Sequence, residues 1–437
     1  MLKQFEDQFH KLGFDGPTQI QAAIYDPMVK GEDLLGLAPT GSGKTLAFVL
    51  PTLAEVMPGE GTQVLILAPS QELAMQTTNV VRDWARLVNA QVLALTGGAN
   101  LKRQMERLKK HPEVVVGTPG RVASLIDDRR LKLHQLETLV IDEADDLLTG
   151  ETLETVRRIA QAAPADCQLG FFSATDTDIL HELPKWFGKD VRRIDVRESD
   201  QTQGEVKHEL LQVNETKRDQ MLKRLLAIPG FRALVFFDST SRLAKTAAHF
   251  KHDHISAVPL TSGLRQTQRQ KALTDFRLGH VKLLLTTDVA ARGLDIPKLP
   301  AVVNYDRPTT ATTYVHRAGR TGRMGEPGEV ITFGDDHDLR DVRRMLSELD
   351  YSLTTVYYTP KGLTTTRPIK QERVKIKPAR QQEDSGRQPA ARQSTGQHQK
   401  RASQPSAKVS ESFSKKHRKN KHNSRKGMRK KRRDGQN

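Results

Sequence analysis

The chain has 437 residues, a mass of 49.0 kDa and an isoelectric point near 9.8. Its 36% hydrophobic content supports large cores over two or three domains, and no apolar run reaches the roughly 18 residues that a membrane helix needs. A single cysteine, Cys167, excludes an internal disulfide and a cysteine-rich zinc cluster; with an acid-bearing start that lacks a signal peptide's apolar stretch, it points to the cytoplasm.

The net charge of +17 is unevenly spread. Residues 361–437 hold 24 Lys/Arg and 5 Asp/Glu, which leaves 45 basic and 47 acidic residues in the first 360. The body is therefore nearly neutral, and any polyanion it binds must be met by local patches rather than by an overall field.

Along the chain, "GFDGPTQIQ" (13–21) comes first. Gln21 carries a donor and an acceptor that match the N6 and N7 edge of adenine, and Phe14 can pack on a base. The strand "DLLGLA" (33–38) leads into "APTGSGKT" (38–45) and then the helical run "TLAFVLP". Strand, glycine-rich turn and helix form the context of a phosphate loop comprising Ala38, Pro39, Thr40, Gly41, Ser42, Gly43, Lys44 and Thr45. Its backbone amides and the helix N-terminus face phosphate oxygens. Lys44 places a charge on the β/γ-phosphates of ATP, and the Thr45 hydroxyl can ligate Mg²⁺. Ala38 stands where the generic pattern has glycine.

Further strands are expected at 64–69, 92–97, 114–118, 138–143 and 168–174, with helical periodicity over Glu72–Leu87 and Ala99–Lys110. Apolar strands alternating with helices predict a parallel sheet covered on both faces. In "VIDEADDLL" (140–148), Asp142 ends a buried strand, where a lone carboxylate is costly unless it meets a cation. It is a candidate Mg²⁺ ligand, partly through water. Glu143 is placed to orient and deprotonate an attacking water.

The pattern pauses over the polar stretch 197–208 and restarts with strands at 208–213, 233–239, 255–260, 281–288, 301–306 and 329–334. The fold class is α/β, with two tandem parallel-sheet domains at 1–198 and 206–358, a linker at 199–205 and a tail from 359 to 437. The tail is too poor in apolar residues for a core and is expected to be disordered. "YVHRAGRTGR" (314–323) spaces Arg317, Arg320 and Arg323 three apart with no acid beside them, so their anion must come from elsewhere.

Together these residues resemble the DEAD-box RNA helicases of helicase superfamily 2, small bacterial members in particular. "DEAD" stands at 142–145, with "TGG" at 96–98, "TPGR" at 118–121, "SAT" at 173–175, "TDVAARGLD" at 287–295 and "HRAGRTGR" at 316–323. The resemblance covers nearly all of residues 1–350. It implies two RecA-like domains that close on ATP and a single RNA strand, with the three arginines facing the nucleotide. Arg320 and Arg323 are then arginine fingers, Asp295 holds the ribose, and His316 couples the domains. Ser173 and Thr175 link Asp145 to the bend imposed on RNA. Positions matching the family's RNA track are Pro69, Gly97, Gly98, Thr118, Pro119, Arg121, Gly263, Arg269 and Thr286.

The resemblance further implies a monomer that unwinds RNA locally without processive travel, with ribosome assembly or cold adaptation as family-level roles and ribosomal particles as partners. The basic run 414–434 is expected to hold structured RNA through phosphates. Three positions depart from the family: Gln71 and Thr261 replace a usual Arg and His, and Asp146 stands where a basic residue is common. The competing readings are a DNA-translocating motor on the same frame and a non-catalytic RNA chaperone acting through the tail.

Overall fold

The run Leu34–Leu37 is buried at every position, as a strand covered by helices on both faces must be. The same holds for most strands of the computed structural model. It describes residues 1–367 except Gln201, Gln203, Arg292, Gly293, Asp295, Met324, Asp350 and the side chain of Gln266. The expected basic tail from 368 onward and the ribose ligand Asp295 lie outside the described residues.

The first sheet comprises β1 (Leu34–Leu37), β2 (Val64–Leu67), β3 (Val92–Leu95), β4 (Val114–Gly117), β5 (Thr138–Asp142), β6 (Gln168–Ser173) and β7 (Arg192–Asp195). Their order is β3-β4-β2-β5-β6-β1-β7, and the pairings are parallel. Successive residues feed opposite cores: Leu65 and Leu67 enter one apolar cluster, Val64 and Ile66 the other. The second sheet holds β8 (Val206–Gln212), β9 (Ala233–Phe237), β10 (Ala257–Leu260), β11 (Leu283–Thr287), β12 (Ala301–Asn304), β13 (Gly328–Gly334), β14 (Leu353–Thr359) and β15 (Gly362–Thr364). Its order is β10-β11-β9-β12-β13-β8-β14-β15.

All twelve strands expected from the sequence are present, trimmed or extended by one or two residues. Three were not legible. β7 reads "RRID" and is an edge strand kept mostly exposed by its charges. β14 lies on the outer side of β8, and β15 turns back antiparallel to it. Strand pairing in the second sheet therefore continues to Thr364, past the boundary expected at 358. Val356 is buried and Leu363 packs against the same cluster, which is why the chain remains ordered there.

Candidate nucleotide and nucleic-acid site

Three strand ends make the floor of the site. Leu37 of β1 pairs with Ser173 of β6, and Phe172 of β6 pairs with Asp142 of β5. The phosphate loop, the "SAT" segment and the "DEAD" segment therefore leave adjacent strands side by side, at the carboxyl edge where open α/β sheets bind ligands.

Gly43 begins the helix Lys44–Glu55 at φ +90°, and a side chain there would collide with Gln21 Nε2, 2.4 Å from its Cβ position. Lys44 Nζ reaches back to donate to the Ala38 and Pro39 carbonyls at 2.7 and 2.9 Å. Burial lowers its pKa; the nearby Glu143, Asp142 and Asp145 pull it up, and Arg323 pushes it further down. The Ser42 hydroxyl is buried without a partner among the described residues. Thr45 is half-buried in the first turn of the same helix.

Gln21 is engaged at both ends of its amide. Its Oε1 accepts from Thr18 N at 3.0 Å, closing the capping box of the helix Gln19–Val29, and its Nε2 donates to Gly43 O at 3.2 Å, tying that helix to the phosphate loop. Phe14 makes an edge contact with Phe9, ring centroids 5.6 Å apart, at the rim of the first core.

Burial and the neighbouring Glu143 push the Asp142 carboxyl up to about 7, against the opposing charge of Lys44. Glu143 adopts the left-handed backbone at φ +53°, rare for a residue with a side chain, and its Oε2 is buried with no partner among the described residues. Hard oxygen donors crowded beside one lysine fit a divalent cation bound with a phosphate.

Asp145 is the hub between domains. Its Oδ2 accepts from Thr175 Oγ1 and lies 2.9 Å from His316 Nε2 on the helix Ala311–Ala318 of the second domain. Ser173 Oγ in turn accepts from Thr175 N at 3.1 Å and donates to Thr175 O at 2.6 Å, fixing that hydroxyl in place. Thr40 Oγ1 donates to Gly319 O at 3.1 Å. The approach is so close that a Cβ on Gly319 would sit 1.8 Å from Thr40 Oγ1. Beside these contacts a cavity of about 110 Å³ is lined by Pro69, Glu143, Asp145, Asp288, His316 and Arg320, among others.

The three arginines divide. Arg323 lies against Gly41 of the phosphate loop and donates through Nε to Gly319 O at 2.8 Å. Arg320 lines the interdomain cavity and is steadied by bonds to the His316 and Leu294 carbonyls. Arg317 also borders that cavity, but it is 2% exposed, paired with Asp288 at 2.6 and 2.7 Å, and bonded to Asn304 Oδ1 and Asp306 O. Its guanidinium is engaged by partners within the second domain at the edge of the cavity.

The expected RNA positions also divide. Pro69 borders the interdomain cavity. Gly97 and Gly98 follow β3 with the Gln71 side chain against them. Thr118 and Pro119 open the helix Pro119–Asp127, and Arg121 donates to Gln104 Oε1 at 2.8 Å. Gly263 stands in an exposed turn. Two positions depart. Thr286 is fully buried and donates to the Leu260 and Thr287 carbonyls. Arg269 is 7% exposed, bonded to Ala290 O and paired across the domains with Glu72 at 3.0 Å. Glu72, Gln104 and Gly319 were not singled out from sequence, because each works through a partner that no local pattern reveals.

The Asp145–His316 pair carries a pH dependence. Burial lowers the His316 pKa, but the bond to Asp145 and its charge more than offset this, so the imidazole titrates above its ordinary 6.5. Burial raises Asp145, yet His316 and Thr175 hold it below its ordinary 3.8. A raised imidazole favours the joined domains fully below 6.5 and loses that as pH rises through the raised value; the depressed carboxylate favours them above 3.8 and loses that as pH falls through the lowered value. Affinity for RNA with a nonhydrolysable ATP analogue is therefore expected to weaken as pH climbs above the raised value. His316→Gln is expected to flatten that limb; anisotropy titrations between about pH 6 and 9 check this, and a variant with an unaltered alkaline limb contradicts it.

Two parallel sheets sharing one phosphate-loop site across a cleft define a two-lobed nucleotide-driven motor core. The first domain matches the DEAD/DEAH box helicase family model over residues 18–183, and the second the Helicase conserved C-terminal domain over 216–325. Similar proteins include the probable ATP-dependent RNA helicase YfmL of Bacillus subtilis (strain 168), 37% identical over 82% of this chain and 96% of that protein. The DEAD-box ATP-dependent RNA helicase CshC of Bacillus cereus is 32% identical over 83% and 93% respectively. Among solved structures, S. cerevisiae Dbp5 bound to RNA and ADP BeF3 superposes with a TM-score of 0.73 at 27% identity, covering 81% of this chain and 94% of that one. The chain belongs to the DEAD-box helicase family.

Proposed function

We propose that the protein is an RNA-dependent ATPase that opens short stretches of structured RNA, acting in the cytoplasm as a monomer. The observation that carries this reading is the sharing of one acidic, phosphate-loop site by two domains: Asp145 meets His316, and Arg323 lies over Gly41. No described helix is long and apolar enough to cross a membrane.

In this reading Lys44 and the loop amides hold the β- and γ-phosphates of ATP, and Gln21 keeps the loop in shape. Asp142 and Thr45 would hold Mg²⁺, partly through water; the ion neutralises phosphate charge. Glu143 orients the attacking water and takes its proton on Oε2, which has no partner among the described residues. Arg320 and Arg323 neutralise charge on the transferring phosphoryl group. The fingers and the base stand on different domains, so hydrolysis waits for closure. RNA that spans both domains favours the same closed state, and by linkage nucleotide and RNA strengthen each other's binding. Pro69, Gly97, Gly98, Thr118, Pro119, Arg121 and Gly263 would guide the strand by backbone contacts that read no sequence. Residues 414–434 would add phosphate contacts, and ribosomal particles are the proposed setting.

Strand displacement separates this reading from its competitors. An RNA duplex is expected to open only with hydrolysable ATP, and a DNA duplex of the same sequence not at all. Equal opening of both favours a DNA motor. Opening that survives Lys44→Ala favours a chaperone acting through the tail.

A further inference from the structure

At the far end of the first domain's edge strand lies a pocket that the nucleotide reading does not use. It is formed by Arg82, Gln91, Arg107, Lys110 and Pro112, with a volume of about 400 Å³. β3 is the outer strand of its sheet, with the Gly97–Gly98 turn at its carboxyl end and Gln91 at its amino end. At about 3.3 Å per residue, the pocket lies roughly 20 Å from that turn.

The three cations come from two elements. Arg82 sits in the last turn of the helix Gln71–Ala85; Arg107 ends the helix Leu101–Leu108, and Lys110 follows it. Among the described residues none of the three forms an ion pair, and Arg82 has only a long bond to Asn79 Oδ1 at 3.4 Å. The charges that bear on Arg82 are themselves cations, Arg107 and Arg86, and after burial they are what lower its pKa. A buried carboxylate next to the lining residue Pro112, Glu113, accepts from the amides of Gly59 and Gln91 at 2.7 Å each. Two helix C-termini add only about half a negative charge each. A positive excess remains in a body that is neutral overall, and such an excess calls for an anion from outside.

The helix Leu101–Leu108 also links this pocket to Arg121, one of the positions proposed above to guide the strand. Gln104 on its buried face accepts from Arg121, and one turn later Arg107 reaches the pocket. We propose that the pocket formed by Arg82, Arg107 and Lys110 is a second RNA site, which takes backbone phosphates of the RNA segment flanking the strand held between the domains. It reads charge and spacing, not bases. Its use would hold a structured RNA on the first domain while the cleft opens and closes on one strand, so that the second engagement is intramolecular.

The test uses the full chain carrying Arg107→Ala/Lys110→Ala, two exposed positions outside the catalytic set. A Lys245→Ala/Lys251→Ala variant of equal net charge is the control, and thermal melting verifies folding. Binding is read by anisotropy with two RNAs: a single strand of about ten nucleotides, long enough only for the cleft, and a hairpin carrying the same strand as an overhang. Hairpin affinity is expected to fall on the order of tenfold at 0.1 M salt, and the slope of log affinity against log salt to drop by about 1.5. The short strand and the control variant are expected to bind as before. Unchanged hairpin binding overturns the proposal and turns the pocket toward an acidic protein; an equal loss for both RNAs also overturns it, since the cleft itself would be affected. Binding is measured without turnover, so a failure of RNA to stimulate the wild-type ATPase would count against the proposed function and not against this site.

Discussion

Arg320→Ala is expected to lower RNA-stimulated ATP turnover by about 10³-fold or more, the scale at which arginine fingers act. Arg320 lines the cavity beside Glu143 and Asp145, and its Nε and Nη1 are fixed by the His316 and Leu294 carbonyls, so the side chain is aimed before nucleotide arrives. Nucleotide affinity should change far less, because Lys44 and the loop lie on the other domain. Arg320→Lys keeps charge but loses the planar fork, and should recover only part of the rate. Arg317→Ala provides the contrast. It removes the partner of Asp288 and the donor to Asn304 and Asp306 from a site 2% exposed, so its first effect should be a lowered melting temperature. Losing one partner of a buried pair costs about 3–5 kcal/mol, and less here because Asp288 is 40% exposed. Steady-state kinetics and calorimetry on the two variants separate the roles; an Arg320→Ala enzyme within tenfold of wild type would remove the finger assignment.

The second large effect is expected from Glu143→Gln, with turnover falling about 10²–10⁴-fold, the range for loss of a general base. The substitution keeps size and hydrogen-bonding capacity while removing the proton acceptor. It also takes one negative charge from beside Asp142, so the Asp142 carboxyl should ionise more readily and nucleotide binding should hold or tighten. The variant is then expected to accumulate with ATP and RNA both bound, seen as slow RNA release in a chase experiment. Turnover unchanged from wild type would mean that water is activated by another group.

Twelve strands were legible because each is a short apolar run, most of them buried on both faces, and the ends carrying Asp142, Ser173 and the phosphate loop follow from where those runs stop. The partners of Arg317 were not legible, for a definite reason. The spacing of three brings Arg317 and Arg320 to one cavity, but nothing local marks Asp288 as the partner that engages Arg317. The Glu72–Arg269 pair joins residues 197 apart in the chain, and neither carries a local mark of its partner. Gln21 shows another limit. Its amide chemistry suits adenine and loop bracing equally, and only coordinates reveal which atoms it meets.

One consequence follows from Glu72 and Arg269, which already neutralise each other across the cleft. A nucleic-acid phosphate arriving there would take Arg269 from Glu72, and the carboxylate left behind would gather a cation of its own, so the net number of small ions set free would be low. The grip of the cleft should thus fade with rising ionic strength more slowly than its inventory of guanidiniums implies. Sensitivity to salt would then be a property of the periphery.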